Sequence, residues 1–319
     1  MPARVHILDQ PPRAPQTPST SAEVLRPLFD ALTAPASHPP PTILKRDEHT
    51  LVARLRVGPH AFILKLHTPA SPVDHLKALL RQSRLWRQYR GARWLIDHRL
   101  PTAQPLAMLS LRDHAHFPAG TYLAMHALDG RTLLDHLALM AKGPSIVVGD
   151  AVRAQHALAD AAGALVANLL RAQPPKARPR YNRDHKPSNL IVTALSPDHA
   201  ELAIIDTVAI DPHPAFSHPT LPLRRMLFAL IVEPLGCNVL PRRALLMRGL
   251  YAYLRREWAI DPGFPSMSQP HRDQPPVALS GLTFDQWARD SVRAIWPAVV
   301  QTLRTHGDPR PRINPLQNP

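Results

Sequence analysis

The residues best suited to chemistry lie in the stretch Tyr181-Asn182-Arg183-Asp184-His185-Lys186-Pro187-Ser188-Asn189, with Ile204-Ile205-Asp206 following it. One loop there carries a carboxylate, an ammonium two residues later and an amide three residues after that, and a second carboxylate lies downstream. Phosphoryl transfer uses such a set, because its catalysis is mostly positioning plus electrostatic stabilisation of the moving group. Asp184 can orient and deprotonate a hydroxyl, and Lys186 can offset charge on the phosphoryl group. Asn189 and Asp206 offer hard oxygen ligands for magnesium. The remaining need is a cation to anchor nucleotide phosphates, and Lys65 in Phe62-Ile63-Leu64-Lys65 fits it. The bland alternatives are a polar turn for the loop and an edge-strand lysine for Lys65.

Those residues must be held by the elements around them. Leu51, Ala53, Leu55 and Val57 alternate with polar or smaller neighbours, Gly58-Pro59-His60 makes a turn, and Phe62, Leu64 and Leu66 resume the alternation. This predicts an antiparallel hairpin with Lys65 on the face opposite Phe62, Leu64 and Leu66. A helix is expected from about Val73 to Ile96, then strands near 107–111 and 121–126. Beyond Gly130, Leu158, Ala161, Leu165, Val166 and Leu169 follow the spacing of a buried helical stripe ended by Pro174-Pro175. Asn189 to Val192 and Leu202 to Ile205 read as a second hairpin, and helices are expected over 223–232, 242–258 and 284–306. The order predicts an α+β chain: a small antiparallel-sheet lobe (42–126), then a mainly helical lobe (127–306). Residues 1–41 hold ten of the 38 prolines, so this segment and the 307–319 tail are expected to be mostly disordered, although Val24 to Leu32 can form one short helix.

Composition narrows the partners. A length of 319 residues suits about two domains. The one cysteine, Cys237, excludes an intrachain disulfide framework or a multi-cysteine zinc site, as expected of a reducing compartment. The formal charge of +14 favours anionic partners: nucleotide, nucleic acid, phosphorylated sugar or an acidic membrane surface. Aromatics at 5% and the lack of a recognised reading motif argue against nucleic acid. Six lysines stand among 32 arginines, and two of the six are Lys65 and Lys186. The arginines between Leu221 and Glu257 either solvate outer helix faces or meet phosphorylated lipid headgroups. The start of the chain lacks the apolar core of a signal peptide, and the run Met226 to Val232 is far short of the ~20 residues of a spanning helix. A cytoplasmic chain is expected.

Arg183-Asp184-His185-Lys186-Pro187-Ser188-Asn189 resembles the protein-kinase catalytic loop, and with Lys65 and Asp206 it follows the landmarks of the kinase-like fold in order. Within that superfamily the chain is more similar to the lipopolysaccharide core kinases (Kdo/WaaP type). The likeness runs from about residue 43 to 257: the first hairpin from Leu44 to Gly58, the passage from Arg87 to Ala107, and the arginine-rich stretch from Leu240 to Arg256. The resemblance implies a bilobal protein-kinase-like fold and ATP- and magnesium-dependent phosphorylation of a sugar hydroxyl in the lipopolysaccharide inner core. It places that reaction at the cytoplasmic face of the inner membrane, with peripheral contact to an anionic glycolipid. It assigns Asp184 as base, Lys186 to the γ-phosphate, Lys65 to the α/β-phosphates, and Asn189 and Asp206 to magnesium. It puts Gln88 at the helix position that pairs with Lys65, and Met125, His126 and Ala127 at the connector that meets adenine through backbone groups.

The chain also departs from the pattern. Asn182 stands where the loop usually begins with histidine, and Thr207-Val208 follows Asp206 in place of Phe-Gly. No Ala-Pro-Glu motif follows, which argues against a protein-kinase activation segment. The loop Arg46 to Thr50 has no glycine with which to close on phosphates, and Gln88 replaces the glutamate of an ion pair. These features leave room for a pseudokinase scaffold, or for the same chemistry on another small molecule or a protein. The positive charge suits cationic aminoglycosides poorly.

Overall fold

The computed structural model describes residues 4–9, 20–142, 149–172, 180–212, 221–237, 239, 242–260 and 283–305. The chain divides into two compact units, Met1–Leu128 with Asp206–Ala209, and Asp129–Ile205 with Ile210–Pro319.

In the first unit, β1 (Arg4–Asp9) precedes α1 (Thr20–Thr33), β2 (Thr42–Arg46), β3 (Thr50–Val57), β4 (His60–His67), α2 (Pro72–Leu79), α3 (Arg84–Asp97), β5 (Pro105–Arg112) and β6 (Gly120–His126). The strands form one antiparallel sheet in the order β1-β5-β6-β4-β3-β2. Residues directly opposite in an antiparallel ladder share a face. Leu55 faces Phe62, Ala53 faces Leu64 and Leu51 faces Leu66, and this apolar face carries the core. Val52, Lys65 and Leu123 line up on the other.

Helix α1 belongs to that core, which corrects the expectation of a mostly disordered segment over 1–41. Val24, Leu25, Leu28, Ala31 and Leu32 are buried against the sheet, and β1 pairs with β5. Pro27 inside α1 removes a helical hydrogen bond at a cost of about 3 kcal/mol. Each large aliphatic side chain buried there returns about 1.5–3 kcal/mol, so the stripe outweighs the proline. The 307–319 tail lies outside the described residues.

The single helix expected over 73–96 is two. α2 ends at Leu79, Arg81 takes a left-handed φ of 54°, and Gln82 N–H donates to Lys77 O at 2.6 Å, which closes the helix end. Ser83 then begins α3. Glycine usually supplies this left-handed position, so an arginine there hides the break from a reading based on breaker residues.

The second unit holds β7 (Arg131–Thr132), α4 (Leu133–Lys142), α5 (Asp150–Arg171), β8 (Arg180–Asn182), β9 (Leu190–Leu195), β10 (Ala200–Ile204), β11 (Ile210–Pro212), α6 (Leu221–Gly236), α7 (Arg243–Ile260) and α8 (Phe284–Thr305). The expected hairpin is β9–β10, extended by β7, and a second ladder pairs β8 with β11. Helix α5 is the spine, packed on α7 and on the hairpin. The two helices meet at Gly163, where an added Cβ would stand 2.0 Å from the Gly249 carbonyl oxygen and 2.8 Å from Tyr253 N. Across the same contact Arg248 pairs with Asp160, and Arg256 Nε donates to Asn168 Oδ1 at 2.7 Å. These two arginines of the basic stretch therefore brace α7 on α5.

Gly163→Ala must push the α5 and α7 backbones apart and should destabilise the chain by about 1–3 kcal/mol, read as a lower urea midpoint. An unchanged midpoint would mean that the helices do not approach this closely.

Candidate functional site

In the second unit the loop after β8 is a closed network. Asn182 is buried, and its Oδ1 accepts from Asp184 N–H at 3.1 Å. Asn182 thus braces the loop backbone from the place where the related pattern has histidine. Pro187–Asn189 makes one 3-10 turn, with Asn189 N–H donating to Lys186 O at 2.9 Å. That turn brings Asn189 back to the start of the loop, where its Nδ2 donates to Asp184 O at 3.0 Å and to Asp184 Oδ2 at 3.1 Å. Lys186 Nζ lies 3.4 Å from Asp184 Oδ1, with both side chains partly open to solvent. Asp184, Lys186 and Asn189 are therefore brought together.

Two features of this loop were not legible in the sequence. Ser188 donates from its backbone N–H to Glu233 Oε2 at 2.8 Å and from Oγ to Glu233 Oε1 at 2.5 Å, fastening the loop to α6. Nothing local marks a partner 45 residues away. His185 is wholly buried, and neither ring nitrogen has a hydrogen-bond partner among the described residues. Desolvation pushes its pKa down to about 4.

In the first unit Lys65 stands on the sheet face opposite Phe62, Leu64 and Leu66, as its strand parity predicts. Burial lowers the pKa of its ammonium, the Asp206 carboxylate opposes that shift, and the Arg84 guanidinium adds to it. Arg84 Nη2 also lies 3.4 Å from Asp206 Oδ2, and Val208 N–H donates to Asp206 Oδ1 at 3.3 Å. Lys65 and Asp206 thus belong to one charged cluster, with Arg84 as a member that sequence reasoning missed. Nothing in its spacing separates Arg84 from the other arginines of α3.

Gln88 is buried in α3, only 3% exposed. Its Nε2 makes a long 3.9 Å contact with Met125 Sδ, and its backbone carbonyl accepts from Thr207 Oγ1 at 2.6 Å. One turn on, a Cβ on Gly91 would fall 2.2 Å from the Thr207 carbonyl oxygen. The threonine after Asp206 thus clamps α3 by hydrogen bond and by close approach.

At the connector, His126 N–H donates to Gln104 O and Ala127 N–H to Ala61 O, each at 2.9 Å. These two donors are already engaged, so any adenine contact through them must displace a strand bond. The β2–β3 turn also uses its groups internally. Asp47 N–H donates to Thr50 O, His49 N–H donates to Asp47 Oδ1, and Lys45 Nζ lies 3.1 Å from Asp47 Oδ2. The hydrogen bond from Lys45 leads the effects that hold the Asp47 carboxyl down at about 2.

No protein-family model and no curated protein matches the chain. Solved structures do. "WaaP in complex with acyl carrier protein" is similar over 95% of this chain and 98% of that one, at 15% identity and a TM-score of 0.53. The ROP18 kinase domain in complex with AMP-PNP and sucrose covers 89% of this chain and 92% of its own, at 15% identity and a TM-score of 0.44. The fold is protein-kinase-like.

Magnesium can be tested against the residues present. Asn189 commits its amide nitrogen to Asp184, which leaves Oδ1 as its acceptor, and Asp206 offers carboxylate oxygens. Among the described residues no group of three or more His, Cys, Asp or Glu could hold a metal by itself. Magnesium is usually bound by one or two protein oxygens together with waters and substrate phosphates, and Asn189 Oδ1 in the second unit and the Asp206 carboxylate in the first are each an oxygen donor of that kind.

His185 gives this loop a pH dependence. The unfolded chain titrates near 6.5 and the folded one near 4, so the unfolded state takes up the proton first. This contribution is complete above about pH 6.5 and is lost as pH falls toward 4. Between pH 7 and pH 5 the urea midpoint should drop further in wild type than in His185→Leu. Equal drops would show that His185 is not held neutral by burial.

Proposed function

We propose that the chain is an ATP- and magnesium-dependent phosphotransferase whose acceptor is a sugar hydroxyl of the lipopolysaccharide inner core. The observation that carries the chemical half is the closed Asp184–Lys186–Asn189 loop, in which the Asn189 amide fixes one carboxylate oxygen of Asp184. Asp184 acts as the base that orients and deprotonates the acceptor hydroxyl, and Lys186 offsets charge on the γ-phosphoryl group. Lys65 anchors the α/β-phosphates. Burial lowers its pKa, and the Asp206 carboxylate favours the charged form that meets phosphate. Asn189 and Asp206 are the magnesium ligands, and the ion, when bound, neutralises charge between the phosphates. Gln88 and the connector Met125, His126 and Ala127 complete the nucleotide-binding assignment.

The acceptor half rests on the residues from 43 to 257 that resemble the lipopolysaccharide core kinases, and on similarity to the WaaP structure over nearly the whole chain. The charge of +14 suits an anionic glycolipid. In this reading the enzyme meets its lipid substrate from the cytoplasmic face as a peripheral protein; no helix among the described residues is long and apolar enough to cross a membrane.

A second reading, a pseudokinase scaffold, has observations of its own. Arg84 sits on Asp206, Gln88 stands where an ion-pairing glutamate is expected, and the connector and β2–β3 turn use their amides internally. An acceptor other than lipopolysaccharide, a different small molecule or a protein, leaves the same residues in the same roles.

Label transfer from γ-labelled ATP with magnesium into a lipopolysaccharide extract separates these readings. Wild type should label the glycolipid and Asp184→Asn should not, although it still binds nucleotide. Labelling by Asp184→Asn at the wild-type rate would remove Asp184 from the mechanism. No labelling by wild type that binds Mg·ATP would overturn the acceptor assignment. Lys65→Ala should raise the ATP dissociation constant about tenfold or more, the scale of one desolvated charge contact. An unchanged constant would remove Lys65 from phosphate binding.

A further inference from the structure

Helix α2 buries none of its residues. An eight-residue helix is marginal in water, and this one is held by its first turn, where Ser71 Oγ accepts from Asp74 N–H and donates to Asp74 Oδ2 at 2.8 Å. Its large side chains stand in solvent. Val73, Leu76, Leu79 and the capping Leu80 are between 56% and 81% exposed, and they are four of the eleven large hydrophobic residues exposed among the described residues. At 100° per residue these four and Lys77 share one arc of about 160°. Asp74 and Ala78 lie to the side and line a cavity of about 600 Å³ with Lys77, Arg84, Arg87 and Arg90. From Asp74 to Arg93 the chain carries six cations against one carboxylate.

We infer that α2 and the arginine face that follows it form a docking surface for an anionic lipid bilayer. The four aliphatic side chains enter the boundary between headgroups and acyl chains, and the cations beside them meet lipid phosphates. The make-up of the surface favours a bilayer: four apolar side chains exposed along one short helix beside a group of cations is the pattern of an interfacial helix. The charge complementarity is direct, because Lys77 of α2 and Arg84, Arg87 and Arg90 of α3 line one cavity with Leu80 of the apolar arc. The proposal deepens the reading of a lipid-linked acceptor by naming the surface that meets the membrane, and it rests on that reading only for the biological identity of the lipid.

The test uses the full chain without nucleotide, so its outcome does not depend on kinase activity. Flotation is measured with vesicles of phosphatidylcholine alone and of phosphatidylcholine with 30% phosphatidylglycerol, at low and high salt. Wild type should float with the anionic vesicles and much less with the neutral ones, and salt should weaken the binding. Leu76→Gln with Leu79→Gln should lower the partition about tenfold while leaving thermal stability unchanged, because both side chains are already exposed. Arg87→Glu should lower it on anionic vesicles alone. Equal flotation by wild type and the Leu76/Leu79 variant overturns the proposal. So does a wild-type dimer that this variant turns into a monomer while neither floats, since the face would then join two copies of the chain. Flotation that fails while ATP still labels glycolipid would sink the docking surface and leave the kinase reading standing.

Discussion

The bond from the Asn189 amide to Asp184 is the constraint on which the rest of the candidate site depends. A carboxylate on a surface loop can point anywhere, and a base must point at one hydroxyl. The 3-10 turn at Pro187–Asn189 returns the chain so that one amide group grips both the backbone and the side chain of Asp184. Everything around the loop resists its opening: Asn182 beneath Asp184, Ser188 tied to Glu233 on α6, and Ile205 N–H bonded to Asn189 O. The wholly buried His185 adds to this only while it is neutral, since both ring nitrogens have lost water.

A second constraint acts on the cluster around Lys65. Burial disfavours a charged ammonium, and the carboxylate of Asp206 opposes that loss. Asp206 is in turn held by Val208 N–H and by Arg84, while Thr207 grips the α3 backbone. The chain thus places α3 through backbone and packing contacts at Thr207 and Gly91. Gln88 can then be buried and neutral without freeing the helix. Arg84 adds a guanidinium 3.4 Å from Asp206 Oδ2, so one oxygen of that carboxylate is already in an ion pair.

Much of the site was legible because the residues that carry it are close in sequence or fixed by parity. The loop spells its own turn, and the alternation around Phe62, Leu64 and Leu66 settles the side on which Lys65 lies. Other features depend on contacts that no local pattern records. Arg84 reaches a carboxylate 122 residues away and Thr207 an α3 carbonyl 119 residues away. The proline count of the first 41 residues pointed to disorder, yet the stripe from Val24 to Leu32 had a sheet face to cover, and burial outweighed Pro27. The break between α2 and α3 rests on a left-handed arginine, which leaves no signature in residue type.

The proposed magnesium ligands Asn189 and Asp206 are tested most directly by the magnesium dependence of ATP affinity, measured by titration calorimetry. Wild type should bind ATP about tenfold or more tightly with magnesium than with a chelator, and Asp206→Asn should lose most of that difference. ATP affinity that is the same with magnesium and with chelator in wild type would contradict the account.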